Sequence, residues 1–170
     1  MGRPSIGADP VTGQAIADHL TNIPHAAALG LRFHAATDEY VEISLPYDEK
    51  LVGDPDTGVI HGGAITALLD NAAGFAVRVP GAEGEAEPVA IATLDLRIDY
   101  MGPATPGRDV IARATCFKRT RTITFVRGVA YHDSPDDPIA TCTATFMTGT
   151  PNSTRPLTDR GGVRRMEGAG

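Results

Sequence analysis

Residues 61–77 read HGGAITALLDNAAGFAV and contain the longest nearly apolar stretch of the chain. Apolar side chains recur in it every three or four residues, which is the spacing of one helix face. That face collects Ile65, Leu68, Leu69, Ala72, Phe75 and Ala76. Pro80 and Gly81 follow, and both residue types end helices. The pattern predicts one helix of about 17 residues, from Gly62 to about Val79, that packs through this face.

Segments of alternating apolar and polar residues flank the helix, as expected of strands with one buried face. Before the helix, two strands are predicted near residues 29–33 and 41–45, joined by a turn near Asp38. After it, four strands are predicted over residues 93–100, 109–119, 123–132 and 139–148. One long helix with about six strands indicates an α+β domain whose antiparallel sheet wraps that helix.

The domain is predicted to span residues 24–149. Residues 1–23 are expected to hold a loose arm and a short helix from Thr12 to Ile23, which Pro24 stops. Three other segments have the composition of connections or tails: a Gly/Pro/Asp-rich loop at 51–60, a polar linker at 81–88, and a disordered tail at 150–170.

Composition excludes several classes of protein. The 170 residues include 15 Lys plus Arg against 21 Asp plus Glu, so the basic excess of a nucleic-acid binder is missing. Cys116 and Cys142 lie far apart, without the spacing of a disulfide scaffold or a zinc site. The first ten residues contain no apolar signal segment, and Asp70 interrupts a stretch too short to span a membrane. We expect a cytoplasmic protein without metal, nucleic-acid or membrane partners.

The opposite face of the long helix is unusual because it carries small residues and a single carboxylate. Its members are Gly63, Thr66, Ala67, Asp70, Ala73, Gly74 and Val77. No Lys or Arg lies three or four positions from Asp70, and a carboxylate shielded from water is costly unless it is paired or hydrogen-bonded. Asp70 is therefore a candidate functional residue. The alternative is a structural hydrogen bond to Thr66 or to a loop backbone.

Gly62 and Gly63 open the helix, where backbone N–H groups are unpaired and the helix dipole is positive. Such donors could stabilise an oxyanion, or the glycines could serve only the chain reversal. Gly63 and Asp70 are about 10 Å apart at ~1.5 Å per residue, too far to act on one carbonyl. If the two features cooperate, Asp70 must meet the Gly-Gly end of a second chain's helix, which predicts a two-fold dimer with two composite sites.

The motif His61-Gly62-Gly63 with Asp70, followed by TLDLRIDYMGPA at 93–104, resembles the PaaI-like branch of the hotdog-fold thioesterases. The resemblance covers residues 24–148 and agrees with the predicted order of elements. It implies a hotdog fold, hydrolysis of acyl-coenzyme A (acyl-CoA) thioesters, and a homodimer or dimer of dimers. It also implies no metal and no separate cofactor, since coenzyme A is part of the substrate.

The resemblance assigns a role to each motif residue. Asp70 matches the carboxylate that attacks the thioester or activates water, and Gly62 matches the glycine whose N–H, from the other subunit, polarises the carbonyl. His61 matches a histidine that orients the loop and substrate. Thr93 matches a hydroxyl that places the water in some members. Strand parity puts Thr93 on the face of Asp95, so this last role requires a bulge or a strand end.

One departure from the family leaves a second reading open. Several members carry an Asn in the loop before the HGG motif, and residues 51–60 contain none. Asp54 or His61 could take its place, or the protein could bind acyl-CoA or another acyl ligand without catalysis. A hotdog dehydratase is disfavoured, because its motif of a catalytic His and a carboxylate is not found.

Two features concern the rest of the substrate. Lys118, Arg119 and Arg121 form a compact basic group that could bind the coenzyme A phosphates together with Gly63 at the helix start, or could be a solvated hairpin tip. The depth of the acyl pocket is expected to depend on Leu69, Phe75, Tyr100 and Met101. The acyl class itself stays open, with aromatic, branched and medium-chain groups all compatible.

Overall fold

An antiparallel sheet of six strands wraps the long helix in the computed structural model, which describes residues 10–78 and 90–150. In chain order, the elements are α1 (Pro10–Asn22), α2 (Pro24–Leu29), β1 (Arg32–Ala36), β2 (Val41–Leu45), a 3-10 helix (Glu49–Leu51), β3 (Val52–Asp54), β4 (Val59–Ile60), α3 (Gly62–Arg78), β5 (Ala90–Tyr100), β6 (Val110–Arg119), β7 (Ile123–Tyr131) and β8 (Ala140–Thr150). The strand order is β1-β2-β6-β7-β8-β5, and β3 and β4 form a separate hairpin. The predicted α+β architecture is confirmed.

The apolar face of α3 is the centre of the core. All six residues predicted on this face are buried, with Leu68, Leu69 and Ala72 fully enclosed. Burying a leucine side chain contributes roughly 1.5–3 kcal/mol, so this face holds the helix firmly on the sheet. Ala73 and Val77, on the opposite face, are also buried. The sheet wraps around the helix, so positions beside the apolar face are covered too.

The first strand begins later than predicted because a second helix precedes it. Pro24 was expected only to stop a helix, yet it occupies the first turn of α2. Proline forces the preceding residue, Ile23, into an extended backbone (φ −88°, ψ 109°), and its fixed φ suits the start of a new helix. Gly30 ends α2 with a left-handed φ of 72°, and β1 starts at Arg32.

Other boundaries agree in part with the sequence predictions. The turn near Asp38 is confirmed, since the Thr37 N–H donates to the Tyr40 carbonyl at 2.8 Å. Residues 51–60, predicted as a loop, instead contain the β3–β4 hairpin. The linker at 81–88 and most of the predicted arm and tail lie outside the described residues. Within the described ranges, no helix is long and apolar enough to cross a bilayer.

A buried carboxylate ties three strands together on the sheet face away from α3. Glu42 on β2 accepts hydrogen bonds from Arg113 Nε on β6 (2.6 Å) and from the Tyr131 hydroxyl on β7 (2.5 Å). The Arg113 guanidinium also lies over the Tyr40 ring, 4.2 Å from its centroid. Burial, reinforced by the hydrogen bond to Glu42, raises the pKa of Tyr131 well above its ordinary value.

Stability is expected to fall as the pH rises above about 10, because folded Tyr131 keeps a proton that the unfolded chain releases. Buried Cys142, whose pKa burial raises to about 11, contributes with the same sign. Tyr131→Phe should therefore reduce the fall in the free energy of unfolding at alkaline pH. At pH 7 it should lower the free energy of unfolding by about 1.5 kcal/mol, because Glu42 loses a hydrogen-bond donor. Urea unfolding of both proteins at pH 7 and 10.5 checks this, and equal declines would contradict it.

Candidate active site

The start of α3 is fixed by the histidine that precedes it. His61 Nδ1 accepts the Gly63 N–H at 2.9 Å, and the His61 carbonyl accepts the Ala64 N–H at 2.9 Å. The His61 N–H in turn donates to the Leu51 carbonyl at 2.8 Å. Because Nδ1 is the acceptor, the neutral ring carries its proton on Nε2. In the chain itself, His61 thus caps the helix and orients the Gly-Gly turn.

Two hydroxyl groups hold the same turn from the other side. The Tyr100 hydroxyl on β5 donates to the Gly62 carbonyl at 2.6 Å, and Thr66 Oγ1 contacts both that carbonyl (3.2 Å) and the Tyr100 oxygen (2.7 Å). The peptide between Gly62 and Gly63 is therefore held at its C=O and at its N–H. The sequence analysis missed this role of Tyr100, because only the tertiary fold brings β5 over the start of α3.

The glycines here are required by close packing. A Cβ atom on Gly63 would lie 2.9 Å from His61 Nδ1, and one on Gly53 would lie 2.8 Å from His61 Cα. Either side chain would push the histidine away from the helix start. The Gly62 N–H has no hydrogen-bond partner among residues 10–78 and 90–150. Of the two glycine donors predicted at the helix start, Gly63 is engaged with His61 and Gly62 remains available to an acceptor.

Asp70 lies two turns further along α3 and is partly exposed. Its Oδ1 accepts a hydrogen bond from Thr93 Oγ1 at 3.1 Å. The structural alternative from the sequence named Thr66 or a loop backbone as partner, but Thr66 serves Gly62 instead. None of the salt bridges formed by the described residues includes Asp70. Among the described residues, the Thr93 hydroxyl is thus the side-chain donor to this carboxylate, and no ion pair accompanies it.

A bulge in β5 brings Thr93 to Asp70. In the pairing of β5 with β8, Thr93 lies opposite Phe146 and Asp95 lies opposite Thr145, so Leu94 is an extra residue. The extra residue shifts the strand parity, which places Thr93 on the helix side while Asp95 stays on the other. The bulge that strand parity required for the predicted role of Thr93 is present. Leu94 itself is 50% exposed.

Within one chain, the two halves of the candidate site stay apart. Gly62 and Asp70 are separated by eight residues of continuous helix, about 12 Å at ~1.5 Å per residue. The structure therefore joins Asp70 with Thr93, and joins His61 with the two glycines. It does not bring the two groups together on one chain.

The predicted basic group divides in the structure. The Arg119 guanidinium donates to the Val77 carbonyl at 2.7 Å and so caps the C-terminal end of α3. Lys118 and Arg121 are exposed, and neither takes part in the salt bridges found among the described residues. Asp38 lines the same surface cavity as Lys118 and Arg119, which lowers the positive potential there.

The loop before His61 does not supply a substitute for the missing Asn. Asp54 closes its own turn, since its carboxylate accepts the Asp56 N–H (3.1 Å) and the Thr57 hydroxyl (2.8 Å). An amide does lie next to Asp70, because Asn71 lines the same cavity and donates to the Ala67 carbonyl at 2.8 Å. Its position directly after Asp70 was the only sequence signal for it.

A cavity of about 140 Å³ opens beside Asp70. Its lining comes from α1, the α1–α2 junction, α3, β5 and β8: His19, Ile23, Asp70, Asn71, Gly74, Phe75, Ile91, Thr93 and Phe146. Of the four residues predicted to set the pocket depth, only Phe75 lines this cavity. Leu69 is in the core, Tyr100 is at the start of α3, and Met101 is 62% exposed.

Comparison with known proteins shows which family and which solved structures this chain is similar to. Residues 57–139 match the family described as Thioesterase superfamily. The chain is 28% identical to the medium/long-chain acyl-CoA thioesterase YigI of Escherichia coli over 138 residues, covering 75% of this chain and 87% of YigI. A solved structure from Pseudomonas aeruginosa is 39% identical with a TM-score of 0.69, covering 80% of this chain and 98% of that one.

A shorter match, 37% identical over 98 residues, is to a protein of Halobacterium salinarum. It covers 56% of this chain and spans 61% of that relative's length. The range of the family match includes the His61-Gly62-Gly63 turn, Asp70 and Thr93, and the overall fold is shared with the Pseudomonas structure. The chain belongs to the thioesterase superfamily and has the hotdog fold.

Proposed function

We propose that this protein hydrolyses acyl-CoA thioesters at two composite sites in a homodimer. Each site combines Asp70 of one chain with the Gly62 N–H of the partner subunit. The observation that carries the proposal is the environment of Asp70, a carboxylate that is held by Thr93 at the edge of a largely apolar cavity and takes part in none of the salt bridges among the described residues. The name of the YigI relative supports acyl-CoA as the substrate class.

The chemistry needs a base or nucleophile and a donor for the oxyanion. As a general base, Asp70 takes a proton from water while the water oxygen attacks the thioester carbon, and the proton then passes to the departing thiolate. As a nucleophile, Asp70 attacks the thioester carbon and the C–S bond breaks, which releases the coenzyme A thiolate and leaves a mixed anhydride; water then hydrolyses the anhydride to the free acid and the Asp70 carboxylate. In both routes the Gly62 N–H at a helix N-terminus stabilises the oxyanion. The hydroxyl of Thr93 orients one carboxylate oxygen, leaving the other for water or thioester.

The edge of the sheet supports the proposed self-association. Strand β5 is at one end of the strand order, so its outer backbone groups have no strand partner among residues 10–78 and 90–150, and a second β5 can pair with them. Leu94, Tyr100 and Met101 are at least half exposed on or beside this strand. Pairing two β5 strands would cover these side chains and set the two α3 helices side by side. A dimer of dimers is compatible with the same arrangement.

The remaining residues take supporting roles in this proposal. His61 orients the turn that presents the Gly62 N–H, and Gly63 completes that turn through its hydrogen bond to the ring. Lys118 and Arg121, both exposed and outside the salt bridges of the described residues, bind the coenzyme A phosphates, and Arg119 fixes the strand end that carries them. No metal or separate cofactor takes part, since coenzyme A arrives with the substrate.

Thiol release from a series of acyl-CoA thioesters tests the proposal directly. We expect turnover with at least part of the series, from acetyl-CoA to dodecanoyl-CoA and including aromatic acyl groups. Each thioester is also incubated and then analysed intact by mass spectrometry. Binding of intact thioester without release of thiol from any substrate would overturn the proposal and favour the ligand-binding alternative. The absence of an Asn from residues 51–60 is the sequence feature that supports this alternative.

A further inference from the structure

The cavity beside Asp70 combines apolar walls with several polar groups. Ile23, Phe75, Ile91 and Phe146 supply the apolar walls, and the polar lining consists of Asp70, Thr93, Asn71 and His19. Small-molecule sites combine mostly apolar walls with a few converging polar groups. An acyl chain placed in this cavity would have its carbonyl carbon at the carboxylate, which is where hydrolysis requires it.

The size of the cavity limits what it can hold. Its volume of about 140 Å³ is close to that of an apolar protein cavity of about 150 Å³ known to take up benzene. Such a space holds about six carbon atoms. A chain of ten or twelve carbons would need either a longer cavity or an exposed end in water.

Ile23 closes one side of the cavity because of the proline that follows it. Pro24 keeps Ile23 in an extended backbone, so the chain turns between α1 and α2 instead of continuing as one helix. At this junction Ile23 packs partly buried against the core and also lines the cavity. The wall is thus built by the short α1–α2 junction, outside the segment that carries Asp70.

Gly74 shapes the cavity from α3. It lies one helical turn after Asp70 and lines the same space. A Cβ atom on Gly74 would lie 3.5 Å from Ile91 Cδ1 and 3.9 Å from Phe146 Cε1, which are ordinary contact distances. The helix can therefore accept an alanine here without strain, and the added methyl group would occupy part of the cavity.

We propose that Ile23 and Gly74 determine the acyl specificity of this enzyme, limiting the acyl group in the cavity to about six carbon atoms. The proposal rests on the proposed function, because it assigns the cavity to the acyl part of the thioester that Asp70 hydrolyses. It predicts that wild-type kcat/KM rises from acetyl-CoA to hexanoyl-CoA and then falls toward decanoyl-CoA.

The decisive variant is Gly74→Ala, because alanine is a better helix former than glycine and the fold should be retained or stabilised. One methylene more or less in an apolar pocket changes kcat/KM by tenfold or more. We therefore expect Gly74→Ala to lower kcat/KM for hexanoyl-CoA by about tenfold relative to acetyl-CoA. A thermal melt run beside the assay separates this loss from unfolding.

The opposite change is Ile23→Ala, which should raise kcat/KM for decanoyl-CoA relative to hexanoyl-CoA by about tenfold. Ile16→Ala is the matched control, since Ile16 is buried on α1 and does not line the cavity. The control should keep the wild-type chain-length profile even if it melts earlier. An equal shift in both variants would mean that loosening of α1 changes the profile, and would overturn the role of Ile23.

The outcomes distinguish this inference from the proposed function. Hydrolysis of none of the thioesters would end the proposed function itself. Hydrolysis with a maximum at decanoyl-CoA or beyond, unchanged in Gly74→Ala and Ile23→Ala, would overturn only the specificity inference. An equal loss on acetyl-CoA and hexanoyl-CoA in Gly74→Ala would place the pantetheine arm in the cavity, which also overturns the acyl assignment.

Discussion

Replacing Asp70 by asparagine is expected to lower kcat for thioester hydrolysis by about 10³-fold, the range in which a general base contributes. The change keeps the shape of the side chain, and the amide oxygen can still accept the hydroxyl hydrogen of Thr93. Folding and assembly should therefore be retained, and KM should change little. Steady-state thiol release, with circular dichroism and light scattering on the same samples, measures each of these quantities.

A comparison variant sharpens this result. Thr93→Val removes the hydroxyl and keeps the shape of the side chain, so Asp70 loses its one side-chain donor but keeps its charge. We expect a loss of about tenfold in kcat, far smaller than that of Asp70→Asn, because an orienting hydrogen bond contributes about 1–1.5 kcal/mol. Turnover of Asp70→Asn within tenfold of wild type would exclude Asp70 as base and as nucleophile.

Deleting a single backbone donor at the start of α3 is expected to have the next largest effect. Gly62→Pro removes the N–H, and proline is well tolerated at the first position of a helix. Loss of one oxyanion donor typically costs about 10²–10³ in kcat. Gly62→Ala is the matched control because it keeps the N–H while bringing its Cβ equally close to the Tyr100 ring, about 3.2 Å away.

We expect the factor by which Gly62→Ala lowers kcat to be less than a tenth of the factor for Gly62→Pro in the same thiol-release assay. The two variants share the new contact with Tyr100, so the difference between them reports the loss of the N–H together with the constraint that proline places on the His61 backbone. Circular dichroism and thermal melts on both variants confirm that α3 is still formed. Equal losses would mean that the Tyr100 contact, and not the donor, matters at this position.

The Asp70→Asn and Gly62→Pro variants together test whether each site combines groups from two chains. In a heterodimer of one Asp70→Asn chain and one Gly62→Pro chain, one site has both groups intact and the other has neither. Random co-assembly of the two inactive variants should then restore about a quarter of wild-type activity, since half of the dimers are mixed and half of their sites are intact. Mixed dimers purified through two tags and found inactive would show that the site is not composite.

The sequence predicts the framework well because the framework depends on local periodicity. The apolar repeat of residues 61–77 identifies α3, and alternation identifies the strands around it. Helix α2 was missed because Pro24 can either end one helix or begin the next. The β3–β4 hairpin was missed because two or three residues per strand leave no pattern to recognise.

Only some residues of the site could be predicted from the sequence, and the reason is physical. Asp70 and the Gly-Gly turn stand out because a carboxylate and two glycines are unusual in an apolar helix. Tyr100 at the helix start and Ile23 at the cavity are ordinary residues whose roles come from contacts across the fold. The conflict in strand parity at Thr93 was the one sequence signal that pointed to a contact made only in the folded chain.

That bulge also changes how relatives of this chain should be compared. Leu94 shifts the phase of β5, so deleting one residue there would turn Thr93 away from Asp70 while every residue of the motif remains in the sequence. Substitutions at Leu94 would leave the phase intact. An alignment scored by identities alone would show every motif residue in a relative that lacks the residue at position 94. A gap between positions 93 and 95 is therefore more informative about the site than the identity of the residue at position 94.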